Sequence, residues 1–497
     1  MNFAADVVDA ADPGRLALVE LARDGTRREW VFGEVAERAA RLAGTLAERG
    51  VARGDVVMTV IGNRPEWVLA MVACFRIGAV VMPCTEQLRA KDLALRIAAT
   101  RPKVIVADAR NREEVEGAVR RDAAASAEGA VRRGSAASAE GAAASAGVMW
   151  LRGGEAWEEA EPAAALELAP DDPLLITFTS GTAGEPKPIL HAQRYWEGQR
   201  LQAEHWLDAR PGDLVWCTAA SGWSKSARNV FMAPWLRGAA AVLHDARFDP
   251  EERLDLLERE RVNVLCMAPT EYRVIAKRAR LRRFAALRGL VAAGEALNPE
   301  VLRAWEDATG LQIRDGYGQT ETGQLTGAPL HEPVKPGSMG RALPGIDLWV
   351  EDGELVADPS TIPTFCLGPP HDEPWRTGDR VRQDADGFLF FEGRTDDVII
   401  SAGYRIGPFE VESALVAHPA VAEAAVVAAP DAERGSIVRA VVVLRPGHDP
   451  TDDLKNELQE HVKRETAPYK YPRIIEFAAE LPKTASGKIR RALLRSV

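Results

Sequence analysis

VVMTVIGNRPEWVLAMVACFRIGAVVM, residues 56–82, decides the fold class. Val56 to Ile61 is an apolar run of strand length. Asn63 and Pro65 then open a helix: Asn caps orphan amides, and Pro fits a first helical turn. Ala79 to Met82 reads as a second strand. Strand, helix and strand in such short compass are the rhythm of βαβ units in a parallel sheet. A membrane span is the competing reading for Trp67–Met82. Arg76 and Gly78 interrupt it, and a span needs about 20 apolar residues.

The same rhythm extends to both sides. Upstream, Phe32, Val35, Ala39, Leu42 and Leu46 share one helical face, with Gly50 placed to cap the end. Downstream, a second βα series runs from about 172 to 345. Residues 346–394 are strand-rich, with turns at Asp352–Gly353 and Asp386–Gly387. From about 397 a smaller α/β unit begins, with strands at Val398–Ile400, Val421–Val427 and Ala440–Leu444 and a helix near 453–465. Residues 116–147 break the pattern. A 12-residue repeat starts at Glu116, Glu128 and Glu140 and is rich in Ala, Ser and Gly. Without large apolar residues it cannot bury a core, so a partly helical surface insertion is expected.

A chain of 497 residues with 46% hydrophobic content supports more than one core. The net charge of −11 argues against a general nucleic-acid binder, which needs a cationic surplus. Cys74, Cys84, Cys217, Cys266 and Cys366 are scattered, without metal or redox spacing. The N-terminus lacks the pattern of a signal peptide. A reduced cytoplasmic protein without a membrane span is expected.

Four segments carry chemistry. Thr177-Phe178-Thr179-Ser180-Gly181-Thr182-Ala183-Gly184-Glu185-Pro186-Lys187 leaves an apolar run. Its hydroxyls and bare amides suit phosphate oxygens, and Lys187 adds charge; a plain surface loop reads as well. Asp315-Gly316-Tyr317-Gly318-Gln319-Thr320-Glu321-Thr322 suits a phosphate and Mg²⁺ corner, or a helix start capped by Thr. Trp375-Arg376-Thr377-Gly378-Asp379 is followed by Gly393-Arg394-Thr395-Asp396-Asp397 and Ser401-Ala402-Gly403-Tyr404-Arg405-Ile406. Asp379 can accept from both hydroxyls of a ribose, whereas tight turns with exposed ion pairs are the bland alternative. Pro482-Lys483-Thr484-Ala485-Ser486-Gly487-Lys488-Ile489-Arg490-Arg491 alone is a basic tail.

Taken in order, the set resembles the adenylate-forming superfamily of acyl-CoA synthetases, luciferases and adenylation domains. TFTSGTAGEPK is similar to its phosphate loop and DGYGQTE to its adenine and Mg²⁺ motif. WRTGD is similar to its ribose motif, GRTDDVIISAGYRI to its hinge and PKTASGKIRR to its C-terminal lysine motif. SGWSKSARNVFMAPW, VKPGSMG and APYKYPR bring the medium-chain acyl-CoA synthetases closest. The resemblance implies an α/β fold. A large N-terminal domain of doubly wound sheets with a β-rich subdomain (1–395) is followed by a mobile α+β C-terminal domain (396–497). It implies an acid–thiol ligase that adenylates a carboxylic acid and passes the acyl group to coenzyme A, releasing AMP and pyrophosphate. ATP, Mg²⁺ and coenzyme A are the implied cofactors, with a homodimer as an open assembly option.

By the same resemblance, residues 179–187 (Thr179, Ser180, Gly181, Thr182, Ala183, Gly184, Glu185, Pro186 and Lys187) bind ATP phosphates. Residues 315–320 bind adenine and the α-phosphate. Thr320 contacts the α-phosphate and acyl carboxylate, and Glu321 holds Mg²⁺. Asp379 takes the ribose, Arg394 the nucleotide, Asp396 is the hinge and Lys488 serves adenylation. Coenzyme A meets Ser401, Gly403, Tyr404 and Arg405, with Arg434, Lys463 and Arg473 for its phosphates. Trp223, Met267, Gly294 and Gly318 line the acid pocket. Gly318 stands where acetyl-CoA synthetases carry a Trp that closes the pocket, which implies a larger, medium-chain or aromatic acid. Two departures are Ala183, where a hydroxyl residue is common, and a short 353–375 stretch. Two alternatives stay open: loading of a carrier protein, and a non-catalytic acyl- or nucleotide-binding protein.

Overall fold

The structure, a computed structural model, describes all residues except 133–146, 152–155, 180–185, 295, 296, 298, 396, 402, 403, 432, 433, 484–488, 496 and 497. The side chains of 126–132, Ala156 and Arg405 are also outside the description.

The opening stretch folds as its pattern dictates. Val56–Val60 and Val80–Cys84 pair in parallel, and the helix Pro65–Arg76 joins them. All of that helix except Glu66 is buried. A helix apolar on every side belongs inside a protein, and each Val, Leu or Phe so buried contributes about 1.5–3 kcal/mol. Its lone basic residue, Arg76, is itself buried and ion-paired to Asp9. The resulting six-stranded sheet runs Gly147–Leu151, Val104–Asp108, Val56–Val60, Val80–Cys84, Pro173–Phe178, Pro188–Ala192, with only the last pair antiparallel.

A seven-stranded sheet packs beside it. Its order is Ile313–Gly316, Gly289–Ala293, Val264–Met267, Leu214–Cys217, Ala240–His244, Leu16–Leu21, Arg27–Val31. The first hundred residues therefore do not build one unit. Leu16–Leu21 crosses to this second sheet and lies parallel to Ala240–His244. Helix Phe32–Glu48 buries Phe32, Val35, Ala39, Leu42 and Leu46 as its face requires.

The repeat expectation needs a correction. Helix Arg112–Arg132 runs from the framework into the repeat, and Val115 and Ala118 sit in a core cluster with Ile105 and Leu93. Alanine suffices where Gly117 lets the helix approach Ala90 closely, its missing Cβ lying 3.1 Å from the Ala90 methyl. Part of the repeat lies outside the described residues.

Leu348–Glu351, Glu354–Ala357, Trp375–Gln383 and Leu389–Arg394 form a four-stranded antiparallel sheet. Asp352 and Gly353 turn with φ of 52° and 78°. From Ile399 onward a separate core assembles from Ile399, Val411, Leu415, Val426, Val442, Leu458, Val462 and Ile475. Its strands Val421–Asp431 and Gly435–Leu444 run longer than the sequence pattern predicts. No helix among the described residues is long and apolar enough to cross a membrane.

Candidate active site

The site is built where the seven-stranded sheet ends. Ile313–Gly316 is an edge strand parallel to Gly289–Ala293. Asp315 at its end is buried, accepts from the Gly316 amide at 2.8 Å, and is pushed up to about 8 by that burial. Two glycines follow for steric reasons. A Cβ on Gly316 would stand 2.3 Å from Gln324 Nε2, and one on Gly318 only 1.9 Å from the Gly323 carbonyl oxygen. Gly318 is thus a backbone necessity of the hairpin Gly318–Gln319/Gly323–Gln324. The missing side chain points into that hairpin, which differs from the open-pocket reason expected for it.

Two of the four segments meet at one carboxylate. The Tyr317 hydroxyl donates to Asp379 Oδ2. Gln319 Nε2 donates to the same oxygen at 3.0 Å and to the Thr377 carbonyl at 2.7 Å. Trp375 Nε1 fixes Gln319 through its Oε1 at 2.9 Å. Arg394, paired in register with Asp379, reaches Asp379 Oδ1 at 3.3 Å. Burial raises the Asp379 carboxyl above its ordinary range, while Tyr317, Arg394 and Gln319 pull it back. Asp379 therefore uses three of a carboxylate's roughly four acceptor positions within the protein. A ribose would have to displace one or more of these donors.

Thr320 and Glu321 are half-buried on the tip of the hairpin. His191 lies beneath, bonded to the backbone of Thr364 and Thr320; burial, helped by Arg228, pushes its ring down to about 3 and keeps it neutral. The Glu321 carbonyl accepts from Cys366 N at 2.8 Å, and Leu190 accepts from Leu367 N at 2.8 Å. Residues 366–367 thereby tie the hairpin to the strand Pro188–Ala192, which closes the first segment. Thr179 and Lys187 clasp the two ends of that loop: Thr179 N donates to the Lys187 carbonyl at 3.0 Å, and Lys187 N to Thr179 Oγ1 at 3.3 Å. Pro186 is half-buried and Lys187 exposed. Ser180, Gly181, Thr182, Ala183, Gly184 and Glu185 lie outside the described residues, as do Asp396, Gly403 and Lys488.

The acid-pocket candidates divide. Trp223 packs on the core face that includes Cys266, Cys217 and Ala293. Gly294, with φ of 102°, is beside it in the chain's path after Ala293. Met267 stands in the other core with Leu265, Leu290 and Trp305. Side chains alternate along a strand, so Met267 and Cys266 face opposite sides of the sheet. The period-two alternation of Val264–Met267 is the signal that separates the two faces.

The coenzyme A candidates lie in the small lobe. Ser401 is buried, and Tyr404 is 54% exposed and stacked on Tyr469 at 4.4 Å between ring centroids. Lys463 and Arg473 both sit over the Tyr471 ring, at 4.3 and 4.9 Å. Arg434 is exposed, its amide donating to Asp431. The backbone of Arg405 pairs with Ile400. Tyr469 and Tyr471 were not singled out, although both fall in APYKYPR. Next to the expected hinge residue in sequence, Asp397 is held by Arg491 and Arg495. An open cleft of about 830 Å³ lined by Ile346, Trp349, Asp358, His371 and Glu373 holds none of these site residues.

The AMP-binding enzyme family matches residues 6–360, and the AMP-binding enzyme C-terminal domain matches 410–488. The mitochondrial acyl-coenzyme A synthetase ACSM4 of Homo sapiens is 39% identical over 533 residues, spanning 99% of this chain and 90% of its own. The uncharacterized acyl–CoA ligase YtcI of Bacillus subtilis is 39% identical over 509 residues, spanning 97% of this chain and 93% of its own. The crystal structure of a benzoate CoA ligase from Burkholderia xenovorans LB400 matches with a TM-score of 0.84 at 26% identity, covering 100% of both chains.

Proposed function

The chain belongs to the AMP-binding enzyme family, and on that premise we propose that it is an ATP-dependent acyl-CoA synthetase acting on a medium-chain or aromatic acid. The observation that carries the reading is the convergence of Tyr317, Gln319 and Arg394 on buried Asp379. Motifs far apart in sequence meet where a nucleoside would rest.

The acid's carboxylate attacks the α-phosphorus of ATP, and pyrophosphate leaves with the bridging electron pair. The thiol of coenzyme A then attacks the carbonyl of the mixed anhydride, loses its proton, and AMP departs. A carboxylate is a weak nucleophile approaching a polyanion, so positioning and charge neutralisation do the catalysis. Thr320 positions the carboxylate and α-phosphate. Lys187 and residues 179–186 hold the outer phosphates, Lys488 neutralises charge during adenylation, and Asp396 is the hinge. Residues 1–395 form the adenylating unit and 396–497 the mobile one.

Mg²⁺ fits a sparse donor set. No group of three His, Cys, Asp or Glu residues capable of holding a metal occurs among the described residues. Glu321 offers one half-buried carboxylate. Mg²⁺ keeps its waters and binds through one or two carboxylates plus substrate phosphates, so Glu321 suffices. Bound there, it would neutralise phosphate charge.

An aromatic ring pair favours free coenzyme A over a carrier protein. The exposed Tyr404–Tyr469 stack suits an adenine, which a phosphopantetheinyl arm lacks. Ser401, Gly403 and Arg405 adjoin it in the chain, and Arg434, Lys463 and Arg473 serve the phosphates. Five free, buried cysteines accord with a cytoplasmic setting. The test splits the half-reactions. Lys488→Ala is expected to lose acid-dependent pyrophosphate exchange by about 10²–10³ while still converting supplied acyl-adenylate to thioester. Equal loss of both, in a folded variant, contradicts the scheme.

A further inference from the structure

Trp223-Ser224-Lys225-Ser226-Ala227-Arg228 places two cations three residues apart at the start of a buried helical segment. Lys225 is half-buried; its Nζ donates to the Ala293 carbonyl at 2.7 Å and lies 3.2 Å from where a Cβ on Gly294 would stand. Arg228 is 5% exposed, and its Nε is buried without a partner. Its guanidinium bonds the Tyr195 hydroxyl, and Nη1 is 3.5 Å from the Cβ position of Gly323. Both charges are felt at the Cys266 thiol, on the face shared with Trp223. Lys225 thus stands at the carboxyl end of Gly289–Ala293, and Arg228 beside the hairpin Gly318–Gln319/Gly323–Gln324 that carries Thr320 at its tip.

Neither cation has a carboxylate within ion-pairing distance among the described residues. The nearby acids among the described residues are otherwise engaged. Asp315 is held protonated at neutral pH by its burial, and Glu271 accepts from Thr218 and pairs with Arg253. His191 is neutral and supplies no anion. A guanidinium is a permanent cation, and a buried charge left unpaired costs several kcal/mol. A purely apolar acyl tail would leave that cost in place.

Resting on the acyl-CoA synthetase reading, we propose that Lys225 and Arg228 are specificity determinants that receive an oxygen acceptor on the tail of the acid, so that the preferred substrates are acids carrying a second carboxylate or a carbonyl. Sites built to bond a polar group reject analogues that lack it far more strongly than apolar pockets sort methylenes. The acceptor supplies the counter-charge that no described residue provides.

Acids of equal length test this: hexanoate, 5-oxohexanoate and adipate, each assayed for acid-dependent AMP release by wild type, Lys225→Met and Arg228→Gln. The expected result is a wild-type kcat/KM for adipate or 5-oxohexanoate at least about tenfold above hexanoate. That ratio should fall about tenfold in Lys225→Met, which keeps the side-chain length and stands at a half-buried position. Adipate leading marks a charged acceptor, 5-oxohexanoate a neutral one, and both support the proposal. Hexanoate preferred by wild type, with a ratio unmoved in Lys225→Met, overturns it and leaves the synthetase reading standing. No AMP release with any acid overturns both.

Discussion

The two ends of the site follow opposite electrostatic plans. At the proposed nucleotide end, Asp379 is buried, with three of its roughly four acceptor positions already taken by Tyr317, Gln319 and Arg394. At the proposed acyl end, Lys225 and Arg228 hold donors with no carboxylate to meet them among the described residues. The first end is a self-contained network that binding must open. The second is incomplete until an acceptor enters. A closed network organises geometry; an open one makes specificity depend on the ligand.

The comparison breaks most visibly at Asp379. Asp379→Asn swaps a charged acceptor for a partial donor facing Tyr317, Gln319 and Arg394. Breaking a buried pair costs about 3–5 kcal/mol, so kcat/KM for ATP should drop by at least about 10² with the fold retained by circular dichroism. A change below threefold would mean that the network is not the nucleotide end. Next in size is Met267→Ala. Its place in the rear core predicts a stability loss of about 2–4 kcal/mol, read by urea denaturation, with the ratio among acids unchanged. A shifted ratio would put Met267 in the pocket after all. Lys225→Met follows, at about tenfold in acid preference. The smallest effect concerns Asp315. Its folded-state value of about 8 lies above that of the unfolded chain, so the folded protein keeps a proton that unfolding releases. Stability from this group therefore falls as pH rises from about 4 to 8. Asp315→Asn removes that slope, and its melting temperature relative to wild type should climb between pH 5 and 8. A constant difference would contradict the buried, protonated carboxyl.

Some of this was legible in the sequence and some was not, for physical reasons. Residues 56–84 were readable because a buried parallel strand and an all-buried helix write themselves as uninterrupted apolar runs. The crossing of Leu16–Leu21 to the second sheet was not, since local pattern records strand character and says nothing of which sheet receives the strand. The order of motifs from Thr179 to Asp379 and Arg394 was readable as chemistry. Their meeting through the Tyr317 hydroxyl was not, because it depends on the four-stranded sheet docking against the hairpin. That Met267 and Cys266 join different cores was not legible, because a chemical motif names neighbours while the pleat separates them. Lys225 and Arg228 drew no reading in sequence; only the structure shows that no carboxylate among the described residues pairs with them.

On the proposed function, one chain couples ATP cleavage to acyl transfer onto coenzyme A. Incubation with ATP, Mg²⁺, adipate and coenzyme A, each omitted in turn, tests it most directly, with nucleotide and thioester products quantified together. AMP and acyl-CoA formed in equal amounts, and only in the complete mixture, are predicted. ADP as the product, or AMP released without regard to acid, would contradict it.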